Sequence, residues 1–536
     1  MPMTSKSAER ILVVGDPVVA LDEQTLIPDG AVIVEGSTIV AVGPREQLAA
    51  RGPFDRVIGS RDHLVMPGFI NCHYHSELAA GPGLYQLIFE RANVHIHSSY
   101  GPMDEEDLAT VLRWGLVQAI KGGQTGAVDM FYGRPAMPDF GAEVALSVYD
   151  EIGFRVAFGL VSRDQNTYVH EPDEAFLARL PADLATRVRQ SPMGYAWPVD
   201  DVMASYDRLV RRWDGRGDRI RVLLAPDWTP ACSDDLYRRC RAAADHYGTG
   251  ITSHVLETRA EALWNVRTHG RPALERLADL GVLGPDLVCA HFVWVTDDEL
   301  RIFADSGAVA SNNPGSNLRL SSGICRARDI LATGGRLAFG TDGISFTDRE
   351  DFFAELRLAT MLARDPRVFD EIRLDSAGVL RAAGENGSRA LRMEGRVGRL
   401  APGTFADLLV VDTRRILFPP GRYDSTPVLD VLVDRASAAD IDTVLIHGKV
   451  VMAGGRVTVV DEDALVDRLA EVGERRLYRP TADERRWAAL GAEVEPYVLD
   501  FYRPWYETRH EPASVYNARR LQAPPDPVPT ESKSNR

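Results

Sequence analysis

Cysteine is scarce and follows no pairing pattern. The chain of 536 residues has five, Cys72, Cys232, Cys240, Cys289 and Cys325, an odd number at wide spacings with no Cys-x-x-Cys among them. That excludes a disulfide-stapled scaffold and a zinc ribbon, and makes a reducing cytoplasm the expected compartment. Long hydrophobic runs are missing as well: nothing approaches the length of a membrane span. The apolar run near residue 12 is broken by Gly15, Asp16 and Pro17 before it could serve as a signal peptide. Positive charge is in deficit, with 61 Lys and Arg against 77 Asp and Glu and a formal net charge of -16. Such a surface repels nucleic acid and anionic membranes, so neither is expected as a partner and a small-molecule substrate is. What remains is ordinary, 45% hydrophobic and 26% charged, and long enough for a large domain plus a smaller one.

Against that background one stretch stands out, Val65-Met66-Pro67-Gly68-Phe69-Ile70-Asn71-Cys72-His73-Tyr74-His75. An apolar run stops at two histidines one residue apart. In an extended strand residues i and i+2 share a face, so His73 and His75 can present two imidazoles to one point, half of a metal site. A bare His-x-His is more often a satisfied pair at a strand end, so the flanks and the rest of the chain have to decide.

From residue 67 to 396 short β-branched runs alternate with long helical stretches such as 105–121 and 235–247, the pattern of a parallel α/β fold. Strands are expected at 69–72, 127–130, 155–160, 219–224, 251–254, 287–291, 308–311 and 337–340. Eight is the count of a closed (β/α)8 barrel, whose active site lies at the carboxyl ends of the strands. Three further strand ends carry candidate ligands: His254, His291 and Asp342. Alone, each has a dull explanation, a loop-bonding histidine or a turn aspartate. Short β runs also occupy residues 8–64 and return near 403–412 and 444–451.

The order His-x-His, His, His, Asp on successive strand ends, after Pro67-Gly68, resembles the amidohydrolase superfamily of metal-dependent hydrolases. His254-Val255-Leu256-Glu257-Thr258, the loop Asn313-Pro314-Gly315-Ser316-Asn317-Leu318-Arg319-Leu320 and Gly123-Gln124-Thr125-Gly126-Ala127-Val128-Asp129-Met130 are similar to its mononuclear deaminase and triazine-hydrolase branch. In the last of these Gln124 replaces the usual threonine, a change to which no catalytic meaning is attached. The resemblance implies a TIM-like barrel over residues 67–396 and a small β-sandwich domain built from 1–66 and 397–460. A helical extension (461–522) and a disordered, Pro-rich tail (523–536) then complete the chain.

It also implies the chemistry. His73, His75, His254 and Asp342 are the expected ligands of one divalent transition metal, and Asp342 takes the first proton from the attacking water. Glu257 then delivers a proton to the substrate, and His291 contacts the attacking oxygen or the atom under attack. Binuclear relatives bridge two metals with a lysine on the fourth strand, and residues 220–227 contain none. Three imidazoles and a carboxylate suit Zn²⁺ first and Fe²⁺ second, rather than the all-oxygen shells of Mg²⁺ or Ca²⁺. The metal's task is to bring water from a pKa of ~15.7 to near ~7.

Substrate contacts are expected from Gln86 and His97 in the segment after the first strand, and from Trp294 and Asn317. Asp227 and Trp228 are added because they stand where many relatives read Ala-Pro-His and this chain reads Ala225-Pro226-Asp227-Trp228. For Asp227 the alternatives are a hydrogen bond to substrate, a helix cap, or an ion pair with an arginine such as Arg221. For Trp294, packing in the helix layer competes with the pocket. The expected reaction displaces ammonia, an amine or another leaving group from a small nitrogen heterocycle. Hydrolysis of an amide, urea or carbamate by the same centre, and a non-catalytic scaffold that kept only the fold, are the alternatives. A homo-oligomer is expected from the resemblance.

Overall fold

Eight aliphatic runs form parallel strands, each hydrogen-bonded to the next: β1 (Phe69–Tyr74), β2 (Gln124–Phe131), β3 (Arg155–Ser162), β4 (Ile220–Pro226), β5 (Ile251–Val255), β6 (Leu287–His291), β7 (Val309–Asn312) and β8 (Arg336–Phe339). The computed structural model describes residues 8–22, 26–79, 87–99, 103–133, 140–347, 349–364, 374–417 and 427–507. All eight expected strands are present, and helices such as Glu105–Lys121 and Asp234–Tyr247 cover them. Sequence predicts these well because the signals are local. Glu105–Lys121, for example, starts where the Asp104 side chain accepts a bond from the Asp107 amide, and it buries an apolar stripe from Leu108 to Ile120.

The ring is closed by side chains rather than by a full ladder. Between β8 and β1 the Asp342 amide donates to the His73 carbonyl at 2.9 Å. Below it, Asn71 Nδ2 donates to Thr341 Oγ1 (2.7 Å) and to Gln124 Oε1 (3.0 Å), and Gln124 Nε2 donates to Glu350 Oε2 at 2.8 Å. Closure therefore brings the first and last strand ends, with His73 and Asp342, together.

Two smaller sheets stand beside the barrel. One has four strands from residues 10–59, and the other has seven, in which His63–Pro67 lies between Leu408–Asp412 and Val18–Val19. Strands from the two ends of the chain thus pair directly, around a core that includes Val13, Val32, Val65, Leu408 and Val410. Because His63–Pro67 runs almost straight into β1, the small sheet fixes the start of the strand that carries both histidines of the His-x-His pair.

Three helices shape the barrel mouth: α1 (Phe89–Ser99), α2 (Arg259–His269) and α3 (Ala482–Glu507). The expected extension is helical over Glu462–Gly473 and along α3, which lies on α1 and α2; the tail from 523 falls outside the described residues. Among the described residues no helix is long and apolar enough to cross a membrane.

Candidate active site

Every strand-end residue singled out as a ligand converges on one point. The ligand atoms of His73, His75 and His254 lie within 4.8 Å of one another, as do those of His73, His291 and Asp342. His75 Nε2 is 3.3 Å from Asp342 Oδ1 and 3.3 Å from His254 Nε2, and His73 Nε2 is 3.5 Å from Asp342 Oδ1. All are buried.

Three of the four imidazoles are oriented from behind. The His75 Nδ1–H donates to the Met130 carbonyl (2.5 Å), that of His254 to the Asp227 carbonyl (3.0 Å) and that of His291 to Asn317 Oδ1 (2.8 Å). A carbonyl oxygen can only accept, so the proton must sit on Nδ1 and the Nε2 lone pair faces the centre. Neither ring nitrogen of His73, fully buried, has a hydrogen-bond partner. A polar group left so in an apolar interior is costly, and a bound cation would satisfy it. The imidazole-rich donor set with one carboxylate thus fits a single divalent metal.

The backbone is bent to make this possible. His291 (φ 70°) and Asp342 (φ 64°) hold left-handed conformations at the strand ends, which cost side-chain-bearing residues about 1–3 kcal/mol each and collect at functional sites. Asp342 is then gripped: Ser316 Oγ donates to its Oδ2 at 2.5 Å and the Gly343 amide to its Oδ1 at 2.8 Å.

Electrostatics sort the groups into roles. Burial, helped by the other histidines, pushes His73 well below the ordinary imidazole range. Burial brings His75 and His291 down to about 4, so these rings are neutral and able to ligate at neutral pH. Burial pushes the Glu257 carboxyl well above its usual range, with the nearby Asp342 and Glu261 charges adding to it. A carboxyl raised in this way holds its proton more tightly than a free glutamate does; Glu257 lies 3.7 Å from His291 Nε2 and faces the same cavity.

That cavity opens at the barrel mouth. Its floor is the histidine cluster, with Asp342 and Glu257; its walls are Leu78, Phe89, Ile96, Trp228 and Leu320. His97 and Trp228, both expected as substrate contacts, line it. Gln86 lies outside the described residues. Trp294 does not line the cavity: half-buried, it donates from Nε1 to the Ser322 carbonyl (2.6 Å), because its strand end turns the ring into the layer behind. Asn317 is likewise behind the wall and serves His291.

Asp227 reaches the cavity wall with both oxygens already engaged. Oδ1 accepts from Tyr132 Oη (2.9 Å) and lies 3.1 Å from His254 Nδ1, while Oδ2 is ion-paired with Arg163. Arg221, the arginine considered from the sequence, pairs instead with Asp214. Burial alone would raise the Asp227 carboxyl, but Arg163 and His254 hold it well below the usual carboxylate range. In return Asp227 keeps His254 above its ordinary value despite burial. Arg163 and Tyr132 carry no sequence motif. Their one signal was position, each directly after a barrel strand that ends at Ser162 or Phe131.

Comparison with known proteins places the fold among relatives of known name. The 5'-deoxyadenosine deaminase of Methanosarcina mazei is 28% identical over 461 residues, covering 84% of this chain and 95% of that one. The 5-methylthioadenosine/S-adenosylhomocysteine deaminase of Syntrophobacter fumaroxidans is 28% identical over 469 residues, covering 87% and 98%. Among solved structures, an adenosine deaminase from Xanthomonas campestris with bound zinc superposes with a TM-score of 0.75 at 26% identity, covering 88% of this chain and 99% of that one. An atrazine chlorohydrolase from Arthrobacter aurescens with zinc shares the fold, with a TM-score of 0.74 at 22% identity and coverage of 86% and 99%. The amidohydrolase family profile matches residues 64–451, the span from the strand before β1 to the far side of the small sheet. With most of its length matched by that profile, the chain belongs to the amidohydrolase family.

Proposed function

We propose that the chain is a zinc-dependent aminohydrolase that releases ammonia from an amino-substituted, purine-like heterocycle. The observation that carries this is the placement of the buried Glu257 carboxyl, 3.7 Å from His291 Nε2 and facing the imidazole cluster across one cavity. Deamination needs both a base for the attacking water and an acid for the ring nitrogen, and Asp342 and Glu257 supply one each. The names of the relatives, deaminases of adenine nucleosides, point the same way. The donor set suits zinc, which the Xanthomonas campestris structure holds.

His73, His75, His254 and Asp342 would hold the metal. When bound, it supplies Lewis acidity that makes a water proton labile near neutral pH. Asp342 accepts that proton as the water oxygen bonds to the amino-bearing carbon. Glu257 gives its proton to the adjacent ring nitrogen, which takes up the electron pair. His291 steadies the charge developing on oxygen. Proton return to the exocyclic nitrogen then lets it leave as ammonia. Phe89, Leu78 and Trp228 exclude bulk water, and the Trp228 ring gives the planar substrate an apolar surface.

The test is ammonia release by zinc-loaded protein from a panel of aminopurines, their nucleosides and aminopyrimidines. Glu257→Gln should keep the metal and lose about 10²–10⁴-fold in kcat. Absence of ammonia release across the panel, or a Glu257→Gln enzyme with unchanged kcat, overturns the reading.

A further inference from the structure

The family profile ends at residue 451, yet α3, at 482–507, is packed against the wall of the cavity. Two routes connect it to the substrate space. Along the first, Glu495 pairs with Arg91 (2.9 Å) and His95 (3.0 Å) on α1, whose other residues Phe89, Asn93 and Ile96 line the cavity. His95 thus serves this contact, leaving His97 of the His95-Ile96-His97 pair to the cavity. The helices approach as closely as glycine permits, since a Cβ at Gly491 would meet Ser98 Oγ at 2.3 Å. At the far end Tyr506 Oη donates to Glu90, whose carboxylate is buried. Along the second route, Tyr502 sets its ring edge-on to His170 (centroids 5.1 Å apart), and His170 sits edge-on to Trp228 (4.7 Å). Trp228 in turn meets Phe89 at 5.4 Å, so the two routes join at the cavity wall.

Phe89 and Trp228, which meet as one apolar wall of the cavity, are therefore both backed by one helix from beyond the span that the family profile matches. We propose that α3 is a specificity-determining wall of the active site: by fixing α1 and Trp228 it sets the width of the cavity, and so the size of apolar substituent that the heterocycle can carry. The proposal rests on the aminohydrolase reading for the identity of the substrate, but not for the mechanical coupling. Bulk beside the reacting ring is discriminated through contacts of this kind, where a single methylene shifts specificity by about 10–200-fold.

Gly491 and Tyr506 are neither metal ligands nor cavity-lining residues, and they allow a direct experiment. Gly491→Val should drive α1 from α3, and Tyr506→Phe should release Glu90 from its hydrogen bond to the helix end. For both variants, the kcat/KM ratio between 6-aminopurines with bulky and with small apolar substituents should move by about tenfold toward the bulky ones. The zinc content should stay at the wild-type value, and amide exchange over Phe89–Ser99 should become faster. An unchanged ratio in both variants, or a change that appears only with loss of zinc, overturns the proposal. Should Gly491→Val fail to fold, Tyr506→Phe alone carries the decision. A wild-type protein that releases no ammonia from any of these compounds defeats the reading of the reaction. Exchange then decides the wall alone, and unchanged protection of Phe89–Ser99 in the variants overturns it.

Discussion

Asp227 shows how much one side chain does when both its oxygens are engaged. It stands behind His254, between Tyr132 and Arg163, and its charge pushes electron density toward the Nε2 that faces the centre. Asp227→Asn keeps the shape but removes the charge, so the zinc dissociation constant, measured by competition with a chelator, should rise about 10–100-fold. A variant that binds zinc as tightly as wild type would show that Asp227 serves only to satisfy Arg163. A second residue effect is a stability effect. Burial raises the Glu355 carboxyl to about 8, the nearby Glu350 and Asp351 add to this, and the Gly315 amide and Arg319 only partly oppose it. The folded state therefore keeps a proton that the unfolded chain, near the ordinary value of 4.5, has given up. Stability from this group is full below that value and is lost as pH rises through about 8. Glu355→Gln should flatten the fall in Tm between pH 5 and 8, and a slope as steep as wild type would assign the fall to other groups.

At the scale of elements, the seam between β8 and β1 is the weak point of the barrel and the place where the site is assembled. Its hydrogen bonds run through Asn71, which also accepts from the His73 amide at 3.2 Å, and through Gln124 to Glu350. The glutamine that replaces the expected threonine thus spans a gap that a shorter side chain leaves open. Gln124→Ala strips buried Asn71 and Glu350 of one partner each while Thr341 still bonds both, and should cost about 1–3 kcal/mol in urea unfolding. Weaker zinc binding should accompany it, because His73 is positioned from the same network; a stability loss under ~0.5 kcal/mol would mean the seam is held elsewhere.

Across the whole molecule the barrel and the small sheets are fastened at the end opposite the site. Arg155, fully buried at the start of β3, pairs with Asp407 and donates to the Asp218 carbonyl at 2.8 Å, with Phe405 against its guanidinium. Asp407 also accepts from the His447 amide at 2.7 Å, so the barrel and two segments of the chain that returns to the small sheet meet at one ion pair. Arg155→Ala leaves a buried carboxylate unpaired and should cost about 3–5 kcal/mol, whereas the double change Arg155→Met with Asp407→Leu should recover most of it. Chemical denaturation of the single and double variants checks this. Equal losses in both would show that packing, not charge, is what the pair provides.

The sequence by itself determined the parts that depend on local pattern. Strand periodicity, helix caps and the placement of His73, His75, His254, His291 and Asp342 at strand ends were all legible, because a barrel turns chain order into spatial order and gathers successive strand ends on one face. For Asp227 an ion pair was among the readings the sequence left open, but the partner was not legible. Its partner Arg163 lies 64 residues earlier, on a neighbouring strand end, and many arginines in the chain were equally available by spacing. Nor was the fate of Trp294, since one residue's rotation at the end of a strand decides between cavity and outer layer. The role of α3 was equally hidden: its amphipathic pattern says that one face is buried, but not against what. Those outcomes belong to the tertiary structure, because they depend on which surfaces meet after the barrel has closed, and that is a property of distances between segments far apart in the chain.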